Sequence, residues 1–134
     1  MNAVLVDSNV LLDVLGEDPR WYGWSSEALA RCADESVLAI NPIIYAEVSI
    51  RFRTIEELDD VLSQQYFERL ALPWEAAFLA GKAFAAYRRR RGTKVMPLPD
   101  FYIGAHAAVS RLVLLTRDAA RYRTYFPRVQ IVAP

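Results

Sequence analysis

The chain has 134 residues, 16 basic and 16 acidic side chains, and 54 % hydrophobic content. Those values fit one folded domain over residues 1–134 and exclude an intrinsically disordered chain. Zero net charge excludes steering of a polyanion by the molecule as a whole, so any affinity for nucleic acid must come from local clusters.

The single Cys32 excludes an intramolecular disulfide and a cysteine metal cage. Asp7 and Asp13 interrupt the first apolar run and no basic residue precedes it, so nothing there resembles a secretory leader. No run of about 20 apolar residues is present to span a bilayer. The chain therefore reads as soluble and cytoplasmic, with no membrane partner.

Ala3 to Val6 is short, uncharged and β-branched, the pattern of a strand buried on both faces. Asp7, Ser8 and Asn9 follow as helix-capping residues. Val10, Leu11, Val14 and Leu15 then recur at helical spacing. Gly16 to Pro19 is a turn, and Ser25 or Ser26 is expected to cap a helix running to about Ala33. Val37 to Ile40 is a second strand, closed by the helix-start signal Asn41-Pro42. A helix from Ile43 to about Arg53 carries Glu47. A charged helix to about Gln65 presents Glu56, Glu57, Asp59 and Asp60 as a solvated face. Phe67 to Leu72 is a third strand.

The longest helix starts at Trp74, with Trp74, Ala77, Phe78, Gly81, Phe84 and Ala85 as its expected buried stripe. It ends in Arg88 to Arg91, with Gly92 as the stop. Pro99-Asp100 opens another helix to about Leu112. Val113 to Leu115 is a fourth strand ending in Thr116-Arg117-Asp118, and Arg128 to Val132 supplies a last edge strand. Strands alternating with helices predict an α/β fold, a three-layer α/β/α sandwich on a mostly parallel sheet of four to five strands.

In such a sheet each helix returns antiparallel to the strands, so strand ends and helix starts share one edge, where ligands bind. Asp7 and Asp118 follow strands, Asp100 begins a helix, and Glu47 lies in a helix second turn, so all four belong to that edge. Taken singly, Asp7 and Asp100 are explained by capping and the helix dipole, and Asp118 by a turn. Glu47 is not, because it lies on the apolar stripe of Ile43 and Ile50, where an uncompensated carboxylate is costly. Four acids without matching His or Cys ligands point to an oxygen-ligated Mg²⁺ or Mn²⁺. Such an ion supports phosphodiester hydrolysis without a protein nucleophile. Ser8, Asn9 and Thr116 are placed to hold the carboxylates, with capping as the competing role, above all for Ser8. His106, on a different helix face from Asp100, is expected to be structural.

Val-Asp7-Ser-Asn, Tyr-Ala-Glu47-Val, Leu-Pro-Asp100-Phe-Tyr-Ile-Gly-Ala and Leu-Leu-Thr-Arg-Asp118 resemble, in order and spacing, the motifs of the PIN-domain nucleases. With the chain length, they are similar to stand-alone VapC-type toxins of toxin–antitoxin pairs, over essentially the whole sequence. The resemblance implies a Mg²⁺- or Mn²⁺-dependent endoribonuclease, a homodimer, and neutralisation by a cognate antitoxin. It further implies that Asp7, Glu47, Asp100 and Asp118 form the catalytic and metal-binding cluster, with Thr116 supporting Asp118. Ala119-Ala120 depart from the family, which often has an aromatic soon after the last Asp; here the first aromatic is Tyr122.

Arg88, Arg89, Arg90, Arg91 and Lys94 form the one dense basic run and are the expected contact for the RNA backbone, against a solvated helix end. Trp21, Tyr22 and Trp24 are the expected antitoxin contact, against simple core packing. The rival functions are a PIN-fold nuclease of RNA processing or DNA, and a non-catalytic binding module of the same fold. Retention of all four acids argues against the module. A phosphotransfer receiver domain fits poorly, because the third strand ends in Leu72-Pro73 without an acid and no lysine lies near the last strand.

Overall fold

The computed structural model describes residues 3–90, 92–93 and 98–134. Among these, the strands β1 (Val4–Val6), β2 (Leu38–Ile40), β3 (Phe67–Arg69), β4 (Val113–Leu115) and β5 (Ile131–Val132) form one sheet. Its order is β3-β2-β1-β4-β5 and every neighbouring pair is parallel. The helices are α1 (Ser8–Leu15), α2 (Tyr22–Glu35), α3 (Pro42–Ser49), α4 (Ile55–Val61), α5 (Trp74–Arg89), α6 (Pro99–Ser110) and α7 (Ala120–Tyr125).

The chain runs outward from β1 to β3, then crosses back to place β4 and β5 on the other side of β1. The order therefore reverses between β1 and β4. Right-handed crossovers put α1 to α4 over one face and α5 to α7 over the other, giving the expected three layers. β1 and β2 are buried along their whole length, as runs covered on both faces must be. Among the described residues, no helix is long and apolar enough to cross a membrane.

Three local expectations are corrected. On α5 the buried stripe is Ala76, Ala80 and Ala83, whereas Trp74 is 87 % and Phe78 69 % exposed. Small side chains on that face let α5 approach α6 closely, which puts the large residues outside. On α1 the buried residues after Ser8 are Val10, Leu11 and Asp13, while Leu15 is exposed. And α2 begins at Tyr22, so Ser25 is a buried helical residue rather than a cap; its hydroxyl donates to Asp13 Oδ2 at 2.7 Å.

Gly104 of α6 faces α7 at a distance that admits no side chain. A Cβ there would collide with the Phe126 ring and press on the Tyr122 ring. Gly104→Ala is expected to destabilise the fold by about 1–3 kcal/mol through overpacking. Denaturant unfolding measures this, and an unchanged midpoint would show that the contact is not tight.

Candidate functional site

The reversal between β1 and β4 places the ends of two strands side by side. Val6 pairs with Leu115, and the Asp7 N–H extends the ladder by donating to the Leu115 carbonyl at 2.9 Å. Asp7 occupies the N-cap position of α1, yet its side chain makes no cap bond. Instead Asp7 Oδ2 accepts from Tyr122 Oη at 2.8 Å and Thr116 Oγ1 at 2.9 Å, with Asn9 Nδ2 at 3.4 Å.

Ser8 and Asn9 do not cap either, because both lie inside the first turn of α1. Ser8 Oγ donates to Glu47 Oε1 at 2.8 Å and approaches Asp7 Oδ1 only at 3.5 Å. Asn9 Nδ2 donates to Thr116 Oγ1 at 3.1 Å, and its Oδ1 accepts the Arg117 N–H at 3.2 Å. Thr116 Oγ1 also accepts the Asp118 N–H at 3.2 Å. With two donors pointing at that oxygen, its single proton is left for Asp7. The network thus has one consistent direction, from the β4–α7 turn through Thr116 to Asp7.

Glu47 reaches the same edge from the second turn of α3, whose first turn is fixed by Pro42 and by Asn41 Oδ1 accepting the Ile44 N–H at 2.9 Å. Its setting differs from the sequence expectation. The core stripe of α3 is Ile44 and Val48, Ile50 lies past the helix end and is 83 % exposed, and Glu47 is half-buried beside the stripe. Asp100, in the first turn of α6, accepts from Tyr122 Oη at 3.3 Å and from Arg121 Nη1 at 3.3 Å. Asp118 is exposed in the β4–α7 turn and lines a cleft of about 400 Å³ with Tyr87, Asp100, Arg121, Thr124 and Tyr125.

Burial raises the Asp7 carboxyl to about 6, with the Asp100 and Glu47 charges adding to the rise and the Tyr122 and Thr116 bonds opposing it. Burial also raises Glu47, opposed by the Ser8 bond, and Asp100, opposed by the Arg121 charge. Tyr122, buried against these acids, is held well above the usual phenol range and stays a donor. Neighbouring acids that raise one another's pKa mark concentrated negative potential, a common feature of functional sites. Among the described residues, no three His, Cys, Asp or Glu side chains are already spaced to grip an ion. Their oxygens are turned to Tyr122, Thr116, Ser8 and Arg121. The donor set is all-oxygen and so fits a hard divalent cation.

The other predicted residues do not join this cluster. The Trp21 ring centroid lies 5.2 Å from the Arg20 guanidinium and 5.5 Å from that of Arg117. Trp24 packs against the core, and Tyr22 is the exposed member of the trio. Arg88, Arg89 and Arg90 are exposed at the end of α5, while Arg91 and Lys94 lie outside the described residues. His106 is buried, accepts from Asn41 Nδ2 at 3.0 Å and is held neutral by burial, a structural role. Asp59 is not merely solvated, since it accepts from Tyr45 Oη at 2.8 Å and Arg69 Nη2 at 2.6 Å.

The sequence alone does not reveal the roles of Tyr122 and Arg121, or a part-buried ion pair. Asp13, 2 % exposed, accepts from Arg117 Nε at 2.8 Å as well as from Ser25. This pair ties α1 and α2 to the turn that carries Thr116 and Asp118. Its sequence signal was Asp13 itself, a carboxylate one turn after Val10 on a buried helix face.

Acids gathered at the reversal point of a parallel sheet define an α/β protein with an acidic site outside its strand ends. The PIN domain family model matches residues 4–127. The chain belongs to the PIN domain family, a family of nucleases. No curated protein matches it by sequence. Its fold is similar to that of VapBC2 from Rickettsia felis, solved bound to a promoter DNA fragment (TM-score 0.72, 16 % identity, covering 98 % of each chain). It is also similar to DNA-bound VapBC from Salmonella typhimurium (0.71, 20 %, covering 99 % of this chain and 98 % of that one). A further similar structure is FitAcB from Neisseria gonorrhoeae (0.64, 20 %, covering 96 % and 95 %).

Proposed function

We propose that the protein is a Mg²⁺- or Mn²⁺-dependent endoribonuclease of the VapC toxin type, neutralised by a cognate antitoxin. The observation that carries this reading is the convergence of Asp7, Glu47 and Asp100, from three separate elements, at the sheet reversal. There Ser8 Oγ lies 2.8 Å from Glu47 and 3.5 Å from Asp7, and Tyr122 Oη lies 2.8 Å from Asp7 and 3.3 Å from Asp100. Asp118 stands beside Asp100 on the cleft. Membership of the PIN family and likeness to chains solved in VapBC and FitAcB complexes support it.

Asp7, Glu47, Asp100 and Asp118 would hold the cation. A cation held by these residues would supply polarisation of a phosphate oxygen and a lowered pKa for a coordinated water. The chain's own groups orient the acids. Ser8 fixes the Glu47 carboxylate, Thr116 and Tyr122 fix the inner oxygen of Asp7, and Asn9 holds Thr116 in turn. Tyr122 also bridges to Asp100, which keeps the α6 start close to the β1 end. No side chain needs to act as nucleophile.

Purified protein should cut single-stranded RNA in Mg²⁺ or Mn²⁺ and stop when EDTA is added. Cutting of DNA alone would favour the non-toxin nuclease reading, and no cutting of either polymer would favour a binding module. The same reading includes an RNA-backbone contact at Arg88, Arg89 and Arg90, an antitoxin contact around Tyr22, and a homodimer. The exposed Trp74 and Phe78 are the kind of apolar surface that a partner covers. The salt dependence of RNA binding tests the arginines, co-purification with the adjacent gene product tests the antitoxin, and light scattering tests the dimer.

A further inference from the structure

Arg121 sits in α7, three residues beyond Asp118, and faces the 400 Å³ cleft. Its guanidinium lies 5.8 Å from the ring centroids of both Tyr87 and Phe101. Its bond to Asp100 is single and 3.3 Å long, and both side chains are more than a third exposed. A charge-assisted pair that holds its geometry is usually about 2.7–2.9 Å long. Asp100 therefore holds the guanidinium loosely, and the two rings flank it at the outer range of cation–π contact. Five N–H donors are available and Asp100 engages one side of the fork. On the same side of the molecule, the exposed Arg90 lies 5.5 Å from the ring of Tyr125, another residue of the cleft.

We propose that this cleft is a phosphate subsite for a single-stranded RNA, and that Arg121 exchanges its Asp100 contact for a backbone phosphate when a divalent cation claims Asp100. The inference rests on the nuclease reading above. A cleft near 400 Å³ lies at the small end of ligand sites, with room for one nucleotide unit rather than a paired one. A planar guanidinium beside aromatic rings suits a phosphate better than a flexible ammonium would. In this arrangement Arg121 competes with the cation for Asp100, and then serves the substrate that arrives with it.

The exchange gives Arg121→Ala two effects of opposite sign. Mn²⁺ affinity, measured by calorimetry without RNA, should rise about threefold or more once a cation beside the site is gone. Binding of a short labelled single-stranded RNA, measured by anisotropy in calcium buffer, should weaken about tenfold, the worth of one charge-assisted contact. Arg121→Lys should keep wild-type Mn²⁺ affinity and retain only part of the RNA affinity, which guards against a folding effect of the alanine variant. Weaker Mn²⁺ binding in Arg121→Ala would overturn the proposal, because it would make Arg121 a structural prop for Asp100. Unchanged RNA binding in that variant would overturn it while leaving the nuclease reading intact. Wild-type protein that binds neither Mn²⁺ nor RNA would instead overturn the nuclease reading itself.

Discussion

Asp7→Asn is expected to lower divalent-ion-dependent RNA cleavage by a factor on the order of a thousand or more, while making the metal-free protein more stable near neutral pH. Both effects have the same origin. Asp7 is 3 % exposed, and its carboxyl is raised by burial from the ordinary 3.8 to about 6. The folded protein therefore binds this proton more tightly than the unfolded chain does. Its contribution to stability is complete below about pH 4 and is lost as pH rises through about 6. At 1.36 kcal/mol per pH unit, the loss is about 3 kcal/mol. Asparagine has no charge to bury, and its carbonyl can still accept from Tyr122 and Thr116. Thermal unfolding in EDTA across this range should show a falling transition temperature for the wild type and a flatter profile for the variant. Glu47 and Asp100 are raised by burial too and keep some slope in both proteins. Full cleavage by Asp7→Asn would reject the assigned role of Asp7.

Arg117→Ala should be the most damaging substitution away from the acids, at roughly 2–4 kcal/mol. It strips the ionic partner from Asp13, which is 2 % exposed, and leaves Ser25 as the remaining donor to that carboxylate. Arg117 is itself 30 % exposed, which holds the cost below that of a fully sealed pair. Because the lost side chain ties the turn carrying Thr116 and Asp118 to α1, that turn should loosen even though the backbone N–H bond of residue 117 to Asn9 remains, and cleavage should fall with stability. Asp13→Asn in the same background removes the stranded charge and should recover a large part of the loss, as a double-mutant cycle by urea unfolding would show. A single variant within about 0.5 kcal/mol of wild type would mean that the pair does not brace the turn.

The sequence carries the elements of this fold well where chemistry is local. Asn41-Pro42 starts α3 as read, and the uncharged run before Asp7 is β1. Assigning the four acids to one sheet edge needed only the alternation of strands and helices. What it could not supply was the strand order, which alone brings Asp7 beside Thr116. On α5, Trp74 and Phe78 have the helical spacing and hydrophobicity of a buried stripe, yet helix packing here selects alanines. Tyr122 was seen only as a displaced aromatic; its hydroxyl becomes meaningful once α7 folds back against α6, where Gly104 makes room for it. Glu47 reaches the expected edge, but not from an apolar stripe shared with Ile50. The helix ends before Ile50, and a bond from Ser8 accounts for the carboxylate.

The central proposal is that Asp7, Glu47, Asp100 and Asp118 together form a divalent-cation site. Calorimetric titration of Mn²⁺ into wild-type protein and Asp7→Asn at neutral pH tests it without relying on any substrate. The wild type should bind, with proton release that grows as the pH is lowered towards about 6, where the buried Asp7 carboxyl is still partly protonated and must ionise to coordinate, and Asp7→Asn should lose most of that heat and affinity. Equal Mn²⁺ binding by the two proteins would contradict the claim.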